Sequence, residues 1–143
     1  MLKEILCLVM MVPWAHGQRP GKSQSPAEGR QRPPRAVECP RDRLTSYTGK
    51  VTAYSRGQER LHLRIHTDWD TDEEFTLRFA RSENPVDKFL LRSDTFRPGD
   101  WKVIESAKGH LRPGVRVTVW ECKAGGYPKL TIDWEPPPES HKN

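Results

Sequence analysis

The sequence contains no apolar run approaching the roughly 18 to 20 residues that a helix needs to cross a bilayer. Its one continuous apolar stretch, Ile5 to Val12, stands near the N-terminus, and a transmembrane helix is therefore not expected. Cysteine is scarce, with 3 in 143 residues and no CxxC pair, which argues against the closely spaced thiolates of a structural zinc site. Hydrophobic residues make up 34% of the chain against 30% charged, enough for one small core. The recurrent catalytic signatures are missing too: there is no GxSxG, no HExxH and no phosphate-binding glycine loop. No catalytic residues and no cofactor are expected.

What is present begins with Lys3, the apolar run, and Ala15-His16-Gly17 ahead of Gln18. This pattern reads as a cleavable secretory signal over residues 1–17. Ala15 and Gly17 are small enough for the shallow pockets of signal peptidase, while His16 between them points away. A buried N-terminal helix is the alternative, although no amphipathic partner helix follows. The mature chain is thus expected in the periplasm or outside the cell. Cleavage removes Cys7 and leaves Cys39 and Cys122, an even pair that in an exported chain reads as one disulfide. Two free buried thiols are the other possibility.

Residues 18–43 hold Pro20, Pro26, Pro33, Pro34 and Pro40 with almost nothing apolar, and are expected to be a disordered linker. Pro136-Pro137-Pro138 opens a polar tail over residues 136–143, so the folded unit is placed at residues 44–135. Within it the hydrophobic period is two, which predicts five half-buried strands: Tyr47 to Tyr54, Leu61 to His66, Glu74 to Phe79, Val115 to Cys122 and Leu130 to Trp134. Turn residues at Ser55 to Gln58, Asp68 to Asp72 and Ala124 to Pro128 predict three hairpins. The 35 residues between the third and fourth strands are too many for a structureless loop. Asn84-Pro85 predicts a capped helix continuing to Arg92, and Trp101 to Lys108 a second one stopped by Gly109, although Trp101 to Ile104 would also suit a strand.

Three strands, a helical insertion and two further strands resemble the OB-fold, a five-stranded antiparallel Greek-key barrel. Small exported bacterial OB domains are the nearest likeness. They open on a T-G-x-V strand, here Thr48-Gly49-Lys50-Val51, and introduce the fourth strand with L-x-P-G-x-x-V, here Leu111 to Val117. The resemblance covers Tyr47 to Trp134; an SH3-like barrel and a sandwich are the alternatives. It implies that the first strand pairs antiparallel with the fourth, which would bring Cys39 and Cys122 to one seam.

The densest grouping of chemical side chains is His62 to Glu74, with two histidines and five carboxylates. Asp68, Asp70 and Asp72 match the first ligands of a calcium loop, but Glu73 replaces its glycine and Phe79 its closing glutamate. His62 and His66 on one strand are about 13 Å apart at roughly 3.3 Å per residue, too far to share an ion. No metal site is expected. The face of strands one to three that OB domains use for ligands would present Thr52, Tyr54, His62, Arg64, His66, Thr76 and Arg78. These could receive a small anionic or sugar-like ligand, or could be ordinary cross-strand polar pairs. Trp69, at the acidic hairpin tip, would be either a contact residue for sugars or protein partners or a side chain folded back over the barrel end. Trp101, Trp120 and Trp134 are expected to pack, Trp120 over the seam near Cys122.

A basic chain with an OB-like pattern suggests nucleic acid, but the charge is unevenly placed. Residues 18–43 carry seven basic and three acidic side chains, whereas residues 44–143 carry 16 and 15. The near-neutral barrel has no surplus for a basic track along a nucleic-acid strand. The expected function is an exported, non-enzymatic OB-like binding domain for a small anionic or saccharide ligand. The alternative is a structural or protein-interaction module of the cell envelope.

Overall fold

The computed structural model describes residues 31–138. The expected signal segment, the linker as far as residue 30 and the tail from residue 139 lie outside the described residues. The protein is mainly β: β1 (Leu44–Arg56), β2 (Arg60–Thr67), β3 (Asp72–Arg78), β4 (Phe89–Leu91), β5 (Asp94–Thr95), α1 (Trp101–Ile104), β6 (Glu105–Ala107), β7 (His110–Leu111), β8 (Arg116–Cys122) and β9 (Lys129–Glu135). Among the described residues, no helix is long and apolar enough to cross a membrane.

The five strands expected from the alternating pattern are β1, β2, β3, β8 and β9, and the three expected hairpin pairs are antiparallel neighbours. β1 also pairs antiparallel with β8, from Leu44 opposite Cys122 to Lys50 opposite Arg116. Leu61, Leu63 and Ile65 of β2, Phe75 and Leu77 of β3, Val117 and Val119 of β8 and Ile132 and Trp134 of β9 meet in one core. Burial on one face of each strand is what the two-residue period requires.

The sheet departs from the expected five-stranded antiparallel barrel. Seven strands lie in the order β3-β2-β1-β8-β9-β4-β5, with β3 and β5 at its two edges, so the sheet does not close on itself. The cause lies in the insertion. The helix expected from Val86 to Arg92 is a single 3-10 turn, Pro85–Lys88, capped by Asn84 Oδ1 accepting from the Val86 amide. The chain then extends as β4 and pairs parallel with β9. Phe89 and Leu90 are adjacent and both buried; an extended segment at the edge of β9 covers both while its backbone is satisfied by the sheet. The second expected helix stops after Ile104 and becomes the β6–β7 hairpin. Gly109, at φ +82°, serves the turn of that hairpin rather than a helix end.

Two local features shape β1. At Gly49 the pairings with β8 and β2 overlap, and a Cβ there would collide with the His66 carbonyl oxygen and stand 2.7 Å from Thr67 Cα. Only glycine permits that approach. Between Val51 and Ala53 the register with β2 slips by one residue. This β-bulge at Thr52 reverses which face every later residue of β1 occupies.

Residues 31–43 follow a defined irregular path. Pro34 and Val37 close a turn, Thr48 Oγ1 donates to Gln31 Oε1, and the 3-10 turn Arg41–Arg43 leads into β1. Cys39 is disulfide-bonded to Cys122 with a Cα separation of 5.9 Å, within the geometric limit for a bridge. Trp120 lies on the same face of β8 as Cys122 and is buried, and Trp134 is fully buried in the core. Trp101 packs edge-on against Phe89 and Phe96.

Candidate functional site

The face of β2 and β3 turned away from the core carries the four basic residues expected on the ligand face: His62, Arg64, His66 and Arg78. Strand alternation alone puts them there. Three of the four are engaged by acids on β3 and at the tip. Glu74 takes His62 Nε2 at 2.6 Å and Arg64 Nη2 at 3.1 Å. His66 meets Asp72 through Nδ1 at 3.0 Å and Asp70 through Nε2 at 3.2 Å. The hydrogen bonds from His62 and Arg64 hold the Glu74 carboxyl below its ordinary range. Much of the expected binding face is therefore a set of cross-strand polar pairs.

The tip between β2 and β3 is tightly held. The Thr67 amide donates to the Thr71 carbonyl at 2.8 Å, and the two threonine hydroxyls lie 2.7 Å apart. Asp70 adopts a left-handed backbone at φ +63°, a conformation aspartate tolerates better than most residues. The Asp68 amide donates to the Thr48 carbonyl, and Arg116 Nη2 reaches both Asp68 carboxylate oxygens at 2.7 and 2.6 Å. From this fixed loop Trp69 projects into solvent, 81% exposed. It does not fold back over the end of the sheet.

His66 makes the tip pH-sensitive. Its hydrogen bond to Asp72, reinforced by the charges of Asp72 and Asp70, outweighs its partial desolvation and raises its pKa. A raised histidine pKa contributes stability that is complete below the unfolded value, about 6.5, and is lost as pH rises through the folded value. Proton NMR is expected to show His66 titrating above that value, and Asp72→Asn to bring it back toward it. An unshifted His66 in the parent protein would contradict the pairing.

Tyr54 is corrected. The bulge at Thr52 turns it inward, where its ring packs edge-on against Trp134 and its hydroxyl donates to Glu105 Oε1 at 2.6 Å. Arg56, turned the same way, donates through Nε to Oε1 and through Nη2 to Oε2, both at 2.7 Å. Its guanidinium also lies 4.0 Å from the centre of the Trp101 ring. Glu105 is only 4% exposed. Burial raises the pKa of its carboxyl, but the bonds from Arg56 and Tyr54 win and the net shift is downward. Burial, and then the hydrogen bond to Glu105, push the Tyr54 phenol well above its ordinary range. The cluster has its donors and acceptors matched internally, which is the arrangement of a structural ion pair.

Sequence reading missed Arg56, whose inward placement depends on the bulge, Glu105 on β6, which meets it, and Arg60, which stands directly opposite Arg78. That last pairing had a signal: a β2–β3 hairpin centred on Trp69 puts residues 60 and 78 in register. Among the described residues, no group of three or more histidine, cysteine, aspartate or glutamate side chains is placed to hold a metal ion.

No family model, curated protein or solved structure matches this chain.

Proposed function

We propose that this protein is an exported, non-enzymatic binding module with an OB-like fold, which engages a saccharide or small anionic ligand along the β2–β3 hairpin. The observation that carries this reading is Trp69, 81% exposed on a loop immobilised from three sides. An indole carried on a loop whose backbone is already held needs little loop ordering on contact and offers a broad apolar face to a sugar ring. The order β3-β2-β1-β8-β9 supports the OB-like reading, since OB domains use the face of their second and third strands for ligands. The Cys39–Cys122 bridge supports export.

Calorimetric titration with neutral and acidic oligosaccharides tests this directly. A saturable change is expected in the parent protein and is expected to vanish in Trp69→Ala, with unfolding stability within about 0.5 kcal/mol because the side chain packs on little. Binding that survives the substitution would refute the role of the tip. The second reading, a protein-interaction module of the envelope, draws on Tyr127, 90% exposed in the β8–β9 connection. Capture of an envelope protein that is lost in Tyr127→Ala and retained in Trp69→Ala would favour it instead.

A further inference from the structure

Arg60 and Arg78 face each other across β2 and β3 at the end of the hairpin remote from Trp69. Directly opposed residues on one face have Cβ atoms about 5 Å apart, and like charges so placed repel. Elsewhere on this face each basic side chain of β2 has an acid beside it. Arg60 and Arg78 have no carboxylate partner among the described residues. The two candidates nearest in the chain are already engaged: Glu59 Oε1 holds Arg81 at 2.7 Å, and Glu83 bonds the Ala80 amide and Lys88. A shallow depression of about 480 Å³ opens at this point, lined by Glu59, Arg60, Arg78, Phe79 and Ala80.

We infer that the opposed guanidinium groups of Arg60 and Arg78 form a site for a tetrahedral oxyanion, carried by a ligand as a phosphate or sulfate ester. Two arginine side chains lining one depression supply several planar N–H donors of the kind such oxygens accept. A bound dianion turns the repulsion between the two arginines into mutual attraction to a shared counter-ion. The site is independent of the Trp69 tip, and the failure of either leaves the other standing.

The test follows the arginine Nε–H resonances of the full chain by NMR during titration with inorganic phosphate, sulfate and acetate at constant ionic strength. Arg60 and Arg78 are expected to shift saturably with phosphate or sulfate and roughly tenfold more weakly with acetate, which offers a single carboxylate edge. Tighter binding of phosphate assigns a phosphoryl group, and tighter binding of sulfate assigns a sulfate ester. Arg78→Gln is expected to weaken the response about tenfold or more, while Arg43→Gln, on the exposed turn before β1, leaves it in place. Arg78→Gln also relieves the repulsion, so its melting temperature in dilute chloride is expected to equal or exceed that of the parent. Linear, unsaturable shifts, equal binding of acetate, or an unchanged response in Arg78→Gln would each overturn the site.

Discussion

Substituting Glu105 by alanine is expected to cost about 3–5 kcal/mol, the range found when one partner of a buried ion pair is removed. The loss is large because of what remains. Arg56 would keep its guanidinium above Trp101 with no counter-ion, and the Tyr54 hydroxyl, turned into the protein beside Trp134, would lose its acceptor. The pair itself is worth much less than its disruption costs, because desolvating two charges offsets most of their attraction. The double variant Arg56→Met with Glu105→Leu is therefore expected to recover most of the lost stability in urea unfolding. A double variant as unstable as Glu105→Ala would mean that the carboxylate acts through something other than this pair. The acid limb offers a second check. A carboxyl whose folded pKa is depressed contributes stability above its unfolded value, and loses it as pH falls through the folded value. Glu105→Gln is expected to flatten that part of the stability profile.

Removing the disulfide carries the other large effect. Cys39 and Cys122 are 83 residues apart, and cross-linking a loop of that length stabilises by about 4.5 kcal/mol in the chain-entropy model. For a domain of about 100 residues this corresponds to a fall in melting temperature of roughly 20 °C or more. Reduced and alkylated protein is expected to unfold at a much lower urea concentration and with a steeper slope, since the unfolded chain without the link exposes more surface. An unchanged midpoint would show that the seam between β1 and β8 holds without the bridge. The bridge also anchors the segment preceding β1 on the face where Trp120 is buried. Its loss is accordingly expected to expose an indole and shift the tryptophan emission.

The strands that carry the core were readable because they alternate without interruption, as in Leu61 to His66 and Val115 to Cys122. The pairing of β1 with β8 follows from the OB-like resemblance, and the bridge from that strand order together with the even cysteine count of an expected exported chain. The insertion points to helix by its 35-residue length and the Asn84-Pro85 cap, and the short strand that forms instead, buried on both sides at Phe89 and Leu90, leaves no alternation to announce it. The outward placement of His62, Arg64, His66 and Arg78 on β2 and β3 is legible in the alternation, whereas the inward placement of Tyr54 on β1 is not. A single extra residue at Thr52 exchanges inside for outside, and nothing in the alternation of Val51, Ala53 and Tyr54 announces it. Glu105 was invisible for a related reason, since a carboxylate is buried only when a distant arginine is turned to meet it.

The placement of β1 between β2 and β8 bears on the order in which the chain can fold. β1 can pair with β2 as soon as that strand is made, but its other edge must wait for β8, because Leu44 meets Cys122 and Lys50 meets Arg116. Contacts of such high sequence separation slow folding, since loop closure precedes their reward. The β1–β2–β3 meander is thus the natural first-formed unit, with one open edge presented to any other extended chain until the last third of the protein arrives. Kinetic competition between that edge pairing with β8 and pairing with a second molecule is set by protein concentration, and a folding yield that falls as concentration rises is its direct consequence.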